Sequence, residues 1–237
     1  MRIHSFESMA AVDGEGVRFA VFLTGCPLRC VYCHNPDTWH AEGTEYTAEQ
    51  LYRKIRRYKP YFGDKGGVTF SGGEPLLHAD EINELAALLT ADGIGYALDT
   101  SGCVELTESV KLAVKNADMI ICDLKFWDDE SYLKYAKRDM TRTLAFLEYC
   151  DSLGKRILAR TVIVPGINDT VEHIEKYCAI IGKFKSVFKY ELLGFHTMGF
   201  FKYENLGIAN PLEGREQMDV DKLAELQQVA NRILGME

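Results

Sequence analysis

The chain has 237 residues with an apolar fraction of 47%, enough to bury a sizeable core in one large domain or two small ones. Its formal net charge of −8 argues against nucleic acid or an anionic membrane surface as the main partner. No apolar run is long enough to span a bilayer and Met1–Glu7 has no secretory signal, so we expect a cytoplasmic protein.

Strand-like and helix-like patterns alternate along the chain. Most of the predicted strands are short, continuous apolar runs, which is typical of strands covered on both faces. The six predicted strands are Val17–Leu23, Gly67–Phe70, Gly95–Leu98, Met119–Cys122, Ile157–Val164 and Val187–Leu193.

Amphipathic helices are predicted between and after these strands. Thr47 and Gln50 have the spacing of a capping box at the start of the first helix. The segment 129–153 predicts a helix that is broken near 137–139, and Gly93 offers a stop to the second helix. The remaining apolar stripes are Leu51, Ile55 and Tyr58; Ile82, Leu85, Ala86 and Leu89; Val110, Ala113 and Val114; Val171, Ile174, Cys178 and Ile181; and Leu223, Leu226, Ala230 and Ile233.

Six successive β–α units predict an α/β fold with a parallel sheet and helices outside it. A partial (βα)6 barrel, related to the eightfold TIM barrel, is the natural closure of such a sheet. A doubly wound sheet is the alternative that the pattern leaves open. We expect a single domain over residues 1–237, with a core barrel over roughly 16–200 and a C-terminal helix over roughly 215–234.

Three cysteines directly follow the first predicted strand. Cys26, Cys30 and Cys33 have the spacing Cys-x3-Cys-x2-Cys, and thiols this close can converge on one soft centre, either an iron–sulfur cluster or zinc. Three ligands leave one coordination position open, which is typical of a catalytic rather than a structural metal. A structural zinc site with His34 as fourth ligand is the weaker alternative, because Cys33 and His34 are adjacent.

The other four cysteines have no repeated spacing, so they do not suggest a disulfide framework, and a reducing compartment fits them better. Cys150 and Cys178 lie on the apolar stripes of their helices, so we expect them in the core. Cys122 ends a buried strand, and Cys103 lies in a loop near the predicted site.

Polar, charged, glycine or metal-ligating residues follow all six predicted strands. In βα barrels the working residues lie just past the carboxyl ends of the strands. After the cysteines, the remaining groups are Ser71-Gly72-Gly73-Glu74-Pro75, Asp99-Thr100-Ser101-Gly102, Asp123-Leu124-Lys125, Val164-Pro165-Gly166 and Gly194-Phe195-His196.

The residue types in these groups suit a zwitterionic nucleoside ligand. The pair Gly72-Gly73 lets backbone approach a ligand closely, because no Cβ intervenes. Asp99 and Asp123 can accept hydrogen bonds from ribose hydroxyls or hold a small cation, although each could simply cap the following helix. Lys125 and His196 can donate to a carboxylate or a hydroxyl group.

The cysteine motif, with Tyr32 before its last cysteine and Gly72-Gly73-Glu74 downstream, resembles the radical S-adenosylmethionine superfamily. Further motifs resemble the activating enzymes of glycyl radical enzymes, above all the pyruvate formate-lyase type. These motifs lie at 12–18, 32–35, 71–74, 98–100, 123–125, 160–166 and 195–199.

Two details qualify the resemblance. Glu15 stands where the family usually has proline, a change that we expect to alter a loop but not the chemistry. The segment from Cys33 to Gly72 contains no further cysteine, whereas several relatives carry a cysteine-rich insert there. This absence favours the pyruvate formate-lyase type.

The resemblance implies a [4Fe-4S] cluster on Cys26, Cys30 and Cys33, and S-adenosylmethionine on its fourth iron. Reductive cleavage would give methionine and a 5′-deoxyadenosyl radical, which takes a hydrogen atom from a glycine Cα of the partner enzyme. The implied cofactor-binding residues are Tyr32, Cys33, His34, Gly72, Gly73, Glu74, Asp99, Thr100, Asp123, Leu124, Lys125, Val164 and His196.

The resemblance also implies further partners and ions. A monovalent cation would lie at Asp99, Thr100 and Asp123, and the partner's glycine segment would contact Asp13, His34, Asn35 and Arg160. The electron donor would be a flavodoxin or ferredoxin, and we expect a monomer. The alternatives are an activating enzyme of another glycyl radical enzyme, such as anaerobic ribonucleotide reductase, or a small-molecule radical enzyme.

Overall fold

A computed structural model describes residues 1–236 of the chain, so Glu237, the last residue of the predicted domain, lies outside it. The described residues form two compact units. The first unit comprises Met1–Pro27 and Thr38–Cys122, and the second comprises Leu28–Asp37 and the chain from Asp123. None of the helices described combines the length and the hydropathy that crossing a lipid bilayer requires.

A mixed sheet with strand order β3-β1-β2-β4-β5-β6 forms the first unit. Strands β2, β4, β5 and β6 are parallel, whereas β1 runs antiparallel to both β2 and β3. The strands are β1 (Arg2–Ala10), β2 (Arg18–Leu23), β3 (Thr44–Glu45), β4 (Gly67–Gly72), β5 (Tyr96–Thr100) and β6 (Met119–Asp123), the last of which ends at the unit boundary.

Strands β1 and β3 are absent from the sequence prediction. Most side chains of β1 are exposed or half-buried, and only Ile3 and Ala10 are buried, so the strand has no apolar run to reveal it. Its position is fixed instead by antiparallel pairing with β2, where Phe6 lies opposite Val21. Such pairing is a tertiary contact that local pattern does not encode.

Three of the four helices of the first unit follow the predicted apolar stripes; the second, short helix was not predicted, and Tyr58 of the first stripe lies beyond the end of the first helix at Ile55. The four helices are α1 (Ala48–Ile55), α2 (Lys59–Phe62), α3 (Ala79–Ala91) and α4 (Glu108–Asn116). The predicted capping box of α1 is present, because Thr47 accepts from the Gln50 backbone while the Gln50 side chain accepts from the Thr47 backbone. Gly93 follows α3 with a φ of +66°, which confirms the predicted stop.

Two parallel strands and five helices form the second unit in the part of the chain described. Ile163 of the first strand lies opposite Gly194 of the second. The elements are α5 (Asp129–Tyr135), α6 (Thr141–Ser152), β7 (Ile157–Ile163), α7 (Val171–Ile181), β8 (Val187–Gly194), α8 (Phe200–Asn205) and α9 (Val220–Leu234).

The predicted helix break is confirmed, because α5 and α6 are separate helices and Lys137 between them has a φ of +65°. The apolar stripes need two corrections. Val171 is 49% exposed because it is the first residue of α7. Ile233 is 47% exposed because it lies one residue before the last residue of α9. Tyr177, which the stripe omitted, is fully buried on α7.

Candidate active site

In the first unit, backbone hydrogen bonds join the loops that follow β2 and β4. The Gly73 N–H donates to the Leu23 carbonyl at 2.9 Å, and the Glu74 N–H donates to the Gly25 carbonyl at 2.7 Å. Cys26 follows Gly25 directly and is half-buried. The Gly-Gly-Glu loop therefore fixes the backbone from which the first cysteine projects.

The glycine pair is required by the packing of the unit itself. A Cβ at Gly72 would lie 2.5 Å from the backbone nitrogen and oxygen of Leu23, and one at Gly73 would lie 2.2 Å from the Gly25 oxygen. Gly72 also has a φ of +104°, which side chains rarely tolerate. The sequence predicted that these glycines let a ligand approach the backbone, and that role stays a prediction. In this structure the space without a Cβ is occupied by the backbone of Leu23 and Gly25.

The Glu74 carboxylate is fully buried and already engaged within the first unit. It accepts from the Ser101 hydroxyl at 2.6 Å, from the Ser101 N–H at 3.0 Å and from the Thr100 hydroxyl. Burial raises the pKa of Glu74, while the hydrogen bonds from Ser101 and Thr100 act in the opposite direction. The Glu74 backbone is engaged as well, because its N–H donates to the Gly25 carbonyl and its carbonyl accepts from the Leu77 N–H, so a cofactor-binding role for Glu74 stays a prediction.

The predicted cation ligands have their own contacts in this structure. Asp99 accepts from the Ser71 hydroxyl at 2.6 Å. The Thr100 hydroxyl donates to Glu74 and accepts from the Gly102 N–H at 2.9 Å. The third predicted ligand, Asp123, belongs to the second unit. The cation site stays a prediction.

Buried Arg18 organises the segment that carries Asp13. Its Nε donates to the Thr69 hydroxyl at 3.0 Å, and that hydroxyl donates to the Asp13 carbonyl at 2.6 Å. Burial lowers the pKa of Arg18 to about 10, although the carboxylates of Asp118, Glu15 and Asp13 oppose the shift. Arg18 belongs to the sequence motif at 12–18, but no role was predicted for it.

In the second unit, three backbone contacts hold the segment that carries Cys30 and Cys33. The Arg29 N–H donates to the Ala136 carbonyl at 2.9 Å, and the Val31 N–H donates to the Tyr135 carbonyl at 2.8 Å. The Tyr203 hydroxyl donates to the Cys33 carbonyl at 2.9 Å. The end of α5 and the buried face of α8 therefore position the second and third cysteines.

His34 and His196, both predicted site residues, are stacked in the second unit. Their ring centroids are 3.8 Å apart and their planes differ by 12°. The His34 Nε2 lies 3.0 Å from the His196 carbonyl oxygen, so this nitrogen must carry the proton. Burial, together with His196, lowers the pKa of His34 to about 4. The His34 ring is therefore neutral at neutral pH.

Two further features of this stack bear on a ligand. The His196 Nδ1 is buried without a hydrogen-bond partner among residues 1–236, which is costly unless a ligand supplies one. A Cβ at Gly199 would lie 2.8 Å from the His34 oxygen. The spacing His196-x2-Gly199 thus lets one residue stack on His34 while the other packs against its backbone.

Lys202 is a site residue that the sequence prediction missed. Its Nζ donates to Asn35 Oδ1 at 2.8 Å and lies 3.0 Å from Asp37 Oδ2, so it ties α8 to the turn that follows Cys33. Asn35 was predicted to contact a partner segment, and its contact here is with Lys202. Helix α8 has only six residues, too few for a recognisable periodicity.

The predicted residues after β6 form an ion pair in the second unit. The Lys125 ammonium donates to the Asp123 carboxylate. Burial acts to lower the pKa of Lys125, but Asp123, Tyr32 and Cys30 together outweigh it and the pKa is raised, so the ammonium stays charged. Tyr32 is buried, with its hydroxyl 3.5 Å from the Lys125 carbonyl oxygen.

The remaining predicted residues are held by the strand ends of the same unit. The Leu124 N–H donates to the Arg160 carbonyl at 2.9 Å, and the Arg160 Nε donates to Glu191 at 3.1 Å. The Val164 N–H donates to Asn168 Oδ1 at 2.7 Å. Leu124 and Val164 have fully buried side chains and backbone groups that are hydrogen-bonded within the unit, so their cofactor contacts stay a prediction.

Cys26, Cys30 and Cys33 form no disulfide bonds. Among residues 1–236, no three His, Cys, Asp or Glu side chains are grouped to hold a single metal ion. In a [4Fe-4S] cluster each thiolate binds a different iron, so the sulfur atoms need not converge on one point.

Comparison with known proteins identifies the family. The radical SAM superfamily model matches residues 20–178. The chain is 42% identical to the pyruvate formate-lyase-activating enzyme of Clostridium pasteurianum, over 98% of each chain. It is 38% identical to the enzyme of that name from Staphylococcus epidermidis, over 97% of this chain and 94% of the other. The chain belongs to the radical SAM superfamily, in the family of the pyruvate formate-lyase-activating enzymes.

Solved structures agree with this assignment at the level of the fold. The crystal structure of Streptococcus suis SuiB bound to precursor peptide SuiA has a TM-score of 0.70 to this radical SAM chain, at 16% sequence identity. The match covers 91% of this chain and 45% of that one. The α/β class predicted from the sequence is confirmed.

Membership in the radical SAM superfamily implies a [4Fe-4S] cluster and S-adenosylmethionine, and the residues present fit both. Three cysteines outside any disulfide, at Cys-x3-Cys-x2-Cys spacing, supply the soft thiolate donors that a cluster needs. The buried, unpartnered Nδ1 of His196 is a polar atom of the kind that a nucleoside ligand can satisfy. The family favours a cluster over the zinc alternative.

We expect Lys202→Met to make the cluster more labile without unfolding the chain. The variant loses the contacts to Asn35 and Asp37, so iron loss to a chelator should be about tenfold faster, the effect of roughly one lost charged hydrogen bond. The matched control is Lys176→Met, which breaks an exposed pair with Glu172. Equal rates in both variants would rule out this role for Lys202.

Proposed function

We propose that this radical SAM enzyme activates pyruvate formate-lyase by generating a glycyl radical in it. The observation that carries the proposal is the 42% identity to an enzyme of that name over 98% of both chains. Agreement over the whole length matters because the partner-specific segments, and not only the cluster motif, are then included. We further propose that residues 1–237 form one radical SAM domain.

Cys26, Cys30 and Cys33 would hold the cluster, which would supply the electron for reductive cleavage of S-adenosylmethionine and so allow hydrogen-atom abstraction from the partner's glycine. The protein's task is to hold the cofactor. The charged Lys125 ammonium can bind the cofactor carboxylate, and His196 Nδ1 can bind a ribose or carboxylate oxygen. The neutral His34 ring offers a flat surface to the adenine.

A radical intermediate must be shielded from water and from stray hydrogen donors. We propose that the partner's glycine segment provides this closure and is held by Asp13, His34, Asn35 and Arg160. The Arg160 guanidinium is half-buried and paired with Glu191, which fixes its position on β7. A monovalent cation at Asp99, Thr100 and Asp123 completes the proposed cofactor set.

The other expectations from the sequence also remain part of the proposal. The enzyme is a cytoplasmic monomer, and a flavodoxin or a ferredoxin delivers the electron. Because Cys26, Cys30 and Cys33 form the only clustered cysteine motif in the sequence, the same cluster must accept the electron and cleave the cofactor.

Electron paramagnetic resonance tests the proposed function. The reduced, anaerobically reconstituted enzyme is mixed with S-adenosylmethionine and pyruvate formate-lyase, and a glycyl radical signal is expected. If 5′-deoxyadenosine forms but no glycyl signal appears, the partner is wrong. A signal with anaerobic ribonucleotide reductase instead would move the assignment to another activating enzyme. If the cofactor is cleaved but neither partner enzyme acquires a glycyl radical, a small-molecule substrate is favoured.

We expect His196→Ala to weaken S-adenosylmethionine binding while leaving cluster content intact. The variant loses both the stacking on His34 and the free Nδ1, so the Kd should rise about tenfold. Equilibrium dialysis gives the Kd, and iron analysis gives the cluster content. His173→Ala is the control, because His173 stacks on Trp127 in the same unit but is no predicted site residue. Loss of iron in His196→Ala would indicate a structural role instead.

A further inference from the structure

Two buried tyrosines hold the backbone of Lys125. The Tyr132 hydroxyl accepts from the Lys125 N–H at 3.0 Å, and the Tyr177 hydroxyl donates to the Lys125 carbonyl at 3.1 Å. Both side chains are fully buried. Tyr132 lies on α5 and Tyr177 on α7, so two separate helices fix the main chain of a single residue after β6.

The Tyr177 hydroxyl also connects to the end of β7. It accepts from Asn168 Nδ2 at 2.9 Å, and Asn168 Oδ1 accepts from the Val164 N–H at 2.7 Å. Asn168 is fully buried, and its Nδ2 also donates to the Val162 carbonyl at 2.9 Å. A continuous path of hydrogen bonds therefore runs from Val164 through Asn168 and Tyr177 to Lys125.

Every donor and acceptor along this path is matched. A tyrosine hydroxyl has one proton, which Tyr177 gives to Lys125, and its lone pair receives the Asn168 amide. Burial raises the pKa of Tyr177, so the hydroxyl remains a donor. Buried networks of this kind are rigid because each unmatched group would be costly. Neither Tyr177 nor Asn168 was among the predicted site residues.

We propose that Tyr177 and Asn168 are positioning residues for S-adenosylmethionine, which act by fixing Lys125 and Val164 relative to each other. The inference rests on the proposed function, together with the cofactor-binding roles that the resemblance implies for Lys125 and Val164. The network places two cofactor-binding strand ends at a fixed spacing before the cofactor arrives. Losing one link leaves those residues present but less well ordered, which weakens binding.

Tyr177→Phe tests this inference in the reconstituted holoenzyme. Phenylalanine keeps the edge-on packing against Trp127 and removes only the hydroxyl. The Kd for S-adenosylmethionine, measured by equilibrium dialysis, should rise about five- to tenfold, the equivalent of one lost hydrogen bond. The rate of cofactor cleavage at saturating S-adenosylmethionine should stay within about twofold, because the reacting groups are untouched.

The matched control is Tyr96→Phe. Tyr96 is also buried and donates to a backbone carbonyl, that of Ala113 at 2.6 Å, but it lies in the first unit and outside this network. Its Kd should equal that of the wild type. Tyr132→Phe, which removes the acceptor of the Lys125 N–H, should raise the Kd as Tyr177→Phe does.

The outcomes separate the two proposals. Unchanged Kd values in both Tyr177→Phe and Tyr132→Phe would overturn the positioning role while leaving the proposed function intact. Iron content or thermal stability falling well below that of Tyr96→Phe would indicate a general structural role and would also overturn it. Absence of S-adenosylmethionine binding in the wild-type holoenzyme would overturn the proposed function itself.

Discussion

Cys30→Ala abolishes cluster binding and reductive cleavage of S-adenosylmethionine: this is the largest effect that we expect from any single substitution. Cys30 is a buried cysteine in a segment that α5 and α8 hold in place, so no neighbouring cysteine can move in to replace it. Alanine removes a thiolate ligand and leaves an iron without a protein donor. Cofactor cleavage should fall by at least about a thousandfold.

The measurement is the visible spectrum and iron content of anaerobically reconstituted protein. The wild type should be brown, and Cys30→Ala should lose that absorption. Cys178→Ala is the control, because Cys178 is also a buried cysteine of the second unit but lies within the core of α7. A variant at Cys30 that keeps its iron, or a wild type that is colourless and loaded with zinc, would contradict the cluster assignment.

Gly73→Ala should destabilise the first unit and disturb cofactor binding together. The new Cβ would lie 2.2 Å from the Gly25 oxygen, and this oxygen belongs to backbone, which cannot swing aside as a flexible side chain can. The loop must shift, and the hydrogen bond from Glu74 to Gly25 shifts with it. We expect a loss of about 3 kcal/mol in the free energy of unfolding, the upper end of overpacking costs.

Gly93→Ala separates this collision from ordinary glycine strain. Gly93 has a φ of +66° with nothing within 4 Å of its Cβ position, so alanine there costs only about 1 kcal/mol of backbone strain. Thermal unfolding and iron content are measured for both variants. Gly73→Ala should lower both, whereas Gly93→Ala should lower the melting temperature slightly and keep its iron. Equal behaviour would show that the Gly25 contact is unimportant.

Much of the fold is predictable from the sequence because its signals are local. The central strands β4, β5 and β6 are short and begin with mostly apolar residues, and their side chains are almost entirely buried. The start of the first helix is predictable from Thr47 and Gln50, because their capping contacts require only neighbouring residues. Hydrophobic periodicity, helix capping and glycine stops are properties of short segments, so they can be read from the sequence without the tertiary structure.

The elements that were missed depend on distant partners. Strand β1 becomes a strand by pairing with β2, and α8 is a short helix whose Lys202 and Tyr203 contact residues more than 160 positions away in the sequence. Tyr177 was indistinguishable from other core residues of α7. Its hydroxyl can be assigned a role only because the fold places it within hydrogen-bond distance of the Lys125 carbonyl.

The sequence by itself determined the chemistry of this protein. The Cys-x3-Cys-x2-Cys spacing, the glycine pair and the polar strand ends specify residue types, and residue types decide which metal and which cofactor groups can bind. The tertiary structure decided how those residues are held. The Glu74 carboxylate accepts hydrogen bonds from Ser101 and Thr100. The Lys125 backbone is fixed by hydrogen bonds to Tyr132 and Tyr177. Hydrogen bonds between distant residues depend on how the chain folds back on itself, which no local pattern records.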